Sequence, residues 1–332
     1  MNRRPFSPPP SVAGKTPGIF SARRLFAAIP FLTPLLAGLL FAFAIASHAA
    51  ESNLSRYTYE DTKRLVSLVE DAAALMEREG ENAFSQFARS GSKWLNEKYY
   101  IFVYMPDGTN LFHPIEHSFV GKNLMNLRDA NGKPVVRFIT DVAENPAKDS
   151  SAWVFYLWED QTQLIPLWKS AYIRKVVTGD GKIYLVGSGL YDMKIEKSWV
   201  EDRVKLACDL LETKGKTEAF KAFMDRSSPF VFLGTYIYVL DERGHTVVDP
   251  AFPTMTGRNL SRFKDAVGMP VIQELLRKLA DHKDAWVQYL WPKAGNPLPT
   301  RKLIYARKVE LNGETFIIGS DFFLATPIWM RG

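Results

Sequence analysis

The chain has 332 residues, enough for about two domains, and its 46% hydrophobic and 23% charged residues exclude a largely disordered, collagenous or multi-span membrane protein. The formal charge of +6 invites a nucleic-acid reading, yet Arg3, Arg4, Lys15, Arg23 and Arg24 all precede the first acidic residue, Glu51. Everything after residue 50 carries 37 basic against 36 acidic side chains, so the basic bias belongs to the N-terminus and no nucleic-acid partner is expected.

A polar, Pro-rich stretch with basic residues runs to Arg24. Leu25 to Ala46 is then apolar throughout, broken by Pro30 and Pro34, and Ser47-His48-Ala49 offers small residues at −3 and −1 of a cleavage point before Ala50. This is the pattern of an export signal, so residues 1–50 are expected to carry the protein into a bacterial periplasm. The competing reading is an uncleaved signal anchor, because the apolar run is long enough to span a bilayer. No later stretch approaches that length, so no transmembrane span is expected after signal cleavage. The lone Cys208 forms no intramolecular disulfide, and its i, i+4, i+7 spacing with Val204 and Leu211 reads as a small buried hydrophobe.

Residues 56–79 carry Leu65, Leu68, Val69, Ala72, Leu75 and Met76 at helical spacing and end near Gly80. A short helical pattern with Phe84 and Phe87 follows, then a strand, a turn at Pro106-Asp-Gly108 and a return strand. A third helix is predicted from around Pro134, where the missing proline N–H costs nothing. Three more strands close the module, the last two joined through Gly179-Asp-Gly181. The same order then recurs: a helix over 196–214 ending at Gly215, Phe220 and Phe223, a turn at Glu242-Arg-Gly244, a helix from Pro270, and a final hairpin at Asn312-Gly313. Each module therefore reads as α+β, a five-stranded antiparallel sheet with a long N-terminal helix and helices covering one face.

The recurrence extends to the residues themselves. Tyr100-Ile-Phe-Val103 matches Tyr236-Ile-Tyr-Val239 at a spacing of 136, which holds through Gly121-Lys-Asn-Leu124 against Gly257-Arg-Asn-Leu260 and Asp129 against Asp265. It falls to 133 where Ala152-Trp-Val-Phe-Tyr-Leu-Trp158 meets Ala285-Trp-Val-Gln-Tyr-Leu-Trp291 and Lys169-Ser-Ala-Tyr172 meets Lys302-Leu-Ile-Tyr305, and to 132 at Gly187-Ser188 against Gly319-Ser320. Spacing changes between matched blocks, as loop deletions would give. Two homologous modules, 51–195 and 196–332, follow the N-terminal segment.

The ordered string of long helix, hairpin with His-Pro, Gly-x-Asn-Leu, Tyr-Leu-Trp, Lys-x-x-Tyr and Gly-Ser-Gly-x-Tyr resembles the small Cache domains, the PAS-like extracytoplasmic sensor modules of bacterial chemoreceptors and sensor histidine kinases. The resemblance implies a small-molecule pocket over each sheet, walled by the aromatic strand and the helical segment. The ligand it implies is a small organic acid or an amino-acid-like metabolite, with a membrane sensor kinase or chemoreceptor as the partner that reads occupancy. The copies differ: His113-Pro114 and Gly187-Ser-Gly189 of the first become Asp249-Pro250 and Gly319-Ser-Asp321 in the second.

Strand parity places Tyr156 with Trp158, and Tyr289 with Trp291, leaving Trp153 and Trp286 on the opposite faces. Their apolar bodies and polar handles suit a pocket for a small polar ligand, and equally suit a plain core. Both parities of this strand are apolar or aromatic, which points to cover on both faces. Lys169 and Lys302 stand among apolar strand residues, either to offer an ammonium to a carboxylate or to reach water at a strand end. Lys and Tyr three apart, in Lys169/Tyr172 and Lys302/Tyr305, fall on opposite faces of an ideal strand; a shared face would need the lysine to precede the strand or a bulge to re-aim it. With His113 these eleven are the candidate ligand-binding residues. No nucleophile elbow, phosphate loop or dinucleotide fingerprint is present, and Pro114 between His113 and His117 argues against a helical metal pair, so neither enzyme chemistry, metal nor cofactor is expected. The alternatives to a periplasmic binding protein signalling through a partner are a structural or interaction module with filled pockets and a membrane-tethered accessory subunit of a sensor.

Overall fold

The computed structural model describes residues 54–159, 165–292 and 298–324, so the export signal expected at 1–50 lies outside the described residues. Among them no helix is long and apolar enough to cross a membrane. The first half opens with α1 (Glu60–Glu79), whose Leu65, Leu68, Val69, Ala72 and Met76 are buried at the spacing the sequence shows, and which stops at Gly80. Then come α2 (Phe84–Phe87), β1 (Phe102–Tyr104), β2 (Asn110–Phe112), α3 (Val135–Glu144), β3 (Ser151–Trp158), β4 (Leu167–Val177) and β5 (Ile183–Tyr191).

The second half repeats them. It runs α4 (Lys197–Met224), a small hairpin of β6 (Val231–Phe232) and β7 (Thr235–Tyr236), β8 (Tyr238–Asp241), β9 (Thr246–Val248), α5 (Val271–Asp281), β10 (Asp284–Pro292), β11 (Pro299–Leu311) and β12 (Glu314–Phe323). Gly215, at φ 77 and ψ 176, breaks α4 into a long and a short segment, where the sequence marks a helix end. The sheet orders are β2-β1-β5-β4-β3 and β10-β11-β12-β8-β9, the same topology twice, with antiparallel neighbours throughout. The β11–β12 turn uses Asn312 at φ 53 and Gly313 at φ 81, the left-handed pair that a two-residue hairpin demands.

The layers correct one expectation: the helices do not share a single face. α1 packs on Val103, Val176, Tyr184 and Val186, whereas α3 packs on Phe102, Tyr104, Val154, Tyr156 and Ile173, residues of the opposite parity. In the second half α4 covers Val239, Leu303, Phe316 and Ile318, and α5 covers Tyr238, Leu240, Val287 and Ile317. The cause is visible in β3, where consecutive Trp153, Val154, Phe155 and Tyr156 are all buried. A strand apolar at both parities needs cover on both faces.

Two repeated motifs are structural clasps. Asn123 and Asn259 of the Gly-x-Asn-Leu segments donate from Nδ2 to the turn carbonyls of Asp107 and Arg243. The carboxylates of Asp129 and Asp265 each accept N–H groups from their own loop and one from the edge strand, at Leu157 and Leu290 respectively.

The halves are joined by polar contacts as well as by a shared core. Lys133, fully buried, donates its ammonium to the carbonyls of Ser228 and Val231. Burial pulls its pKa down to about 8. Glu196, also fully buried, accepts the Thr58 and Tyr59 N–H groups at 2.8 and 2.9 Å, so a residue from the second half satisfies the open start of α1. Cys208 sits in the shared core, its thiol pushed up to about 12 by burial. Replacing Glu196 by Ala should leave those two N–H groups orphaned and cost about 2–3 kcal/mol in urea unfolding; an unchanged midpoint would mean that α1 starts without this cap.

Candidate functional site

Each sheet carries a lysine near one end of the strand next to its edge, directed to the face covered by α3 or α5. Lys169 in β4 lies between Tyr156 and Tyr191, and Lys302 in β11 between Tyr289 and Phe323. The pairing is continuous through both strands, so the lysines stand inside regular strands without a bulge. Period two then sends Tyr172 and Tyr305 to the other face, which excludes a shared Lys–Tyr site.

In the first half the aromatic side chains close around the lysine. Lys169 is 1% exposed, donates to the Tyr100 hydroxyl, and lies 4.3 and 4.9 Å from the Tyr100 and Tyr191 ring centres. Beside it, Tyr100, Phe102, His113, Phe119, Tyr156 and Trp158 leave a cavity of about 20 Å³, room for about one water. His113 is buried, accepts the Glu116 N–H on Nδ1 at 2.8 Å, and is driven down to about 3 by burial, with the charge of Lys169 adding to the shift. It stays neutral across the physiological range and contributes shape rather than charge.

In the second half the same positions line an open cavity of about 320 Å³, within the size range of small-molecule sites. Lys302 lies 2.8 Å from Asp321, and the Tyr289 hydroxyl donates to the same carboxylate at 3.1 Å. Asp249 lines the wall with Oδ1 accepting the Ala251 and Phe252 N–H groups; burial raises its pKa, Asp321 adds to the rise and Lys302 opposes it. The hydroxyls of Tyr238 and Thr246 are buried in the cavity wall without a hydrogen-bond partner among the described residues. Tyr238 lies over Gly319, where an added Cβ would stand 2.6 Å from the ring, so only glycine leaves it in place.

The two cavities differ through a few exchanges between the copies. His113 corresponds to Asp249, Phe119 to Met255, Phe102 to Tyr238, and Gly189 to Asp321. A Cβ on Gly189 would stand 3.0 Å from the Lys169 Cε, so an acid where the second half has Asp321 would require the lysine to shift.

The structure thus brings Tyr289, Trp291 and Lys302 together around the larger cavity, and Tyr156, Trp158 and His113 around the smaller, with Lys169 behind Tyr100. Four candidates lie on the opposite faces. Trp286 donates to Glu201 at 3.0 Å and stacks on Tyr305, with ring centres 4.9 Å apart. The Tyr172 hydroxyl donates to Glu70 of α1 at 2.8 Å, and Trp153 donates to the Tyr57 hydroxyl at 2.9 Å. Sequence reasoning missed Tyr236, Tyr238, Asp249 and Asp321 as cavity residues. Their signal was the divergence of the repeat, since His113 against Asp249 and Gly189 against Asp321 are where the copies change charge.

A five-stranded antiparallel sheet between a long helix and a short one, with a pocket over the short-helix face, is the architecture of an extracytoplasmic sensor module. Residues 91–196 match the family described as Cache domain and residues 205–323 the family described as Single Cache domain 2, so the chain carries Cache domains in tandem, which are ligand-binding sensor modules and not enzymes. Among solved structures it is similar to the periplasmic sensor domain of a chemotaxis protein, at 22% identity over 38% of this chain and 89% of that one, with a TM-score of 0.30. A Cache chemosensory domain described for carboxylic acid recognition gives 22% identity, 38% and 87% coverage and a TM-score of 0.30. The ligand-binding domain of a Pseudomonas aeruginosa PAO1 amino acid chemoreceptor in complex with GABA gives 12% identity, 85% and 98% coverage and a TM-score of 0.30.

The buried imidazole makes acid sensitivity a test of the closed first cavity. The folded-state pKa of His113, about 3, lies below the ordinary 6.5, so on acidification the unfolded chain takes up the proton first. Its contribution to stability therefore declines as pH falls from 6.5 toward 3. Urea midpoints measured across that window should fall more steeply for the native protein than for His113→Gln; parallel profiles would mean that the imidazole is solvated.

Proposed function

We propose that residues 51–195 and 196–332 are two Cache modules of an exported, periplasmic sensor, that the second module takes the ligand, and that the ligand is a small ammonium-bearing metabolite of the amino-acid type. The observation that carries this reading is the Lys302–Asp321 ion pair inside the larger cavity, with Asp249 on the same wall. Lys302 has an internal carboxylate, so it is not waiting for one. A dicarboxylate would enter beside two aspartates and compete with Asp321 for one ammonium. A ligand bringing its own ammonium gives Asp249 and Asp321 a partner, while its carboxylate shares Lys302 and the free Tyr238 hydroxyl. Trp291, Tyr289 and Phe263 supply the apolar wall. The first module, with about 20 Å³ left, serves as a structural partner, and a membrane sensor kinase or chemoreceptor reads the occupied state.

A thermal-shift screen with amino acids and with matched carboxylates lacking the amine tests the reading, since a ligand of the folded state raises the melting temperature. Amino-acid-type compounds are expected to stabilise, and Asp249→Asn and Lys302→Met each to weaken binding roughly thirtyfold or more. Equal stabilisation by the amine-free carboxylates, or affinity unchanged in both variants, would overturn it.

A further inference from the structure

A second unfilled space, which the sensor pocket does not use, lies where the two modules meet. Residues of the β3 edge and α3 form one wall of a cavity of about 450 Å³, and residues of α4 form the other. Trp153, Phe155, Trp199 and Phe138 make it largely aromatic, and Arg203 brings a guanidinium to it.

Four charged side chains line this cavity, Arg56, Asp141, Asp202 and Arg203, and all but Arg203 are in ion pairs. Arg56 is held by both oxygens of Asp202 at 2.8 Å, and Asp141 by Arg137 at 3.2 Å. Among the described residues Arg203 has no carboxylate within ion-pair distance; it donates from Nη2 to the Trp153 carbonyl at 2.6 Å, and lies 5.3 Å from the Phe155 ring centre and 6.0 Å from that of Phe232. Burial pulls its pKa down to about 10, the cost of holding a guanidinium among aromatic rings. A guanidinium presents five N–H donors in a planar fork, so one hydrogen bond leaves most of that capacity open. Next to it, the Trp199 indole N–H is buried with no acceptor, and the Tyr57 hydroxyl accepts from Trp153 with its own proton uncommitted.

A cavity with one guanidinium outside the ion pairs among the described residues, a forked donor and aromatic walls matches a monoanion with an apolar body. We propose that this inter-module cavity is a second ligand site, binding a small aromatic carboxylate whose oxygens take the Arg203 fork while its ring lies among Trp153, Phe155 and Trp199. A phosphate dianion fits less well, because one guanidinium neutralises one charge and the walls offer no second cation that is not already paired. Because one wall belongs to the first sheet and the other to α4, an occupant ties the two modules together at a place separate from the Lys302–Asp321 cavity.

The test is tryptophan fluorescence and calorimetry on the full protein with benzoate, phenylacetate and indole-3-acetate as probes and inorganic phosphate as the comparison anion. Saturable binding of at least one aromatic carboxylate is expected, weakened roughly thirtyfold or more in Arg203→Met. Leu206 lines the cavity and is 42% exposed, so Leu206→Trp puts a bulky ring into the space from its solvent side and should block binding while the melting temperature holds. No saturable binding of any probe, binding that survives both substitutions, or phosphate binding as tightly as the carboxylates would overturn the proposal.

Discussion

A lysine buried on the inner face of a sheet must find compensation, and the two halves of this chain answer that constraint in different ways. Lys169 is held by a phenol and flanked by two aromatic rings, and the space around it has filled. Lys302 is held by Asp321, and the space around it has stayed open. Desolvating an ammonium is costly unless oxygen atoms surround it. Around Lys169 the aromatic side chains pack at close range and leave room for about one water. A carboxylate, itself hydrogen-bonded by Tyr289, leaves a polar pair that a zwitterion can insert into.

The scaffold is arranged so that these differences stay local. The Asn123 and Asn259 clasps and the Asp129 and Asp265 loops recur with nearly the same bonds, holding the hairpin, the loop and the edge strand in register. Against that constant frame, exchanges such as Gly189 to Asp321 and His113 to Asp249 alter the cavity without altering the sheet. The join between modules is similarly specific. Glu196 ends at the start of α1 and Lys133 reaches the chain just before β6, so each half completes hydrogen bonds in the other.

Most of the fold was legible in the sequence because its signals are local or periodic. The buried stripe of α1, the stop at Gly80, the break at Gly215 and the Asn312-Gly313 turn each follow from the chemistry of one short segment. The layering was harder to read. Trp153 to Tyr156 announces two buried faces, but which helix covers which face depends on a topology that no single segment encodes. The site was half legible for a related reason. Tyr289, Trp291 and Lys302 stand out as a strand motif, whereas Asp249 directly follows β9 and Asp321 belongs to β12, so their meeting is a product of the sheet's strand order and register. Parity alone separated Trp286 and Tyr305 from that group. Lys302 stands out by its apolar neighbours, but the acid that balances it is invisible until Asp321 is seen beside it.

The central claim is that the second module holds the ligand through opposed charges while the first is closed. A crystal structure of the protein grown with the amino-acid-type compound that stabilises it most would test this directly. The account predicts electron density for one molecule over the β10–β12 face, its ammonium within about 3 Å of Asp249 or Asp321 and its carboxylate toward Lys302, with Lys169 still bonded to Tyr100. Density beside Lys169 and Tyr156 instead, or a carboxylate displacing Asp321 with no ammonium facing either aspartate, would contradict it.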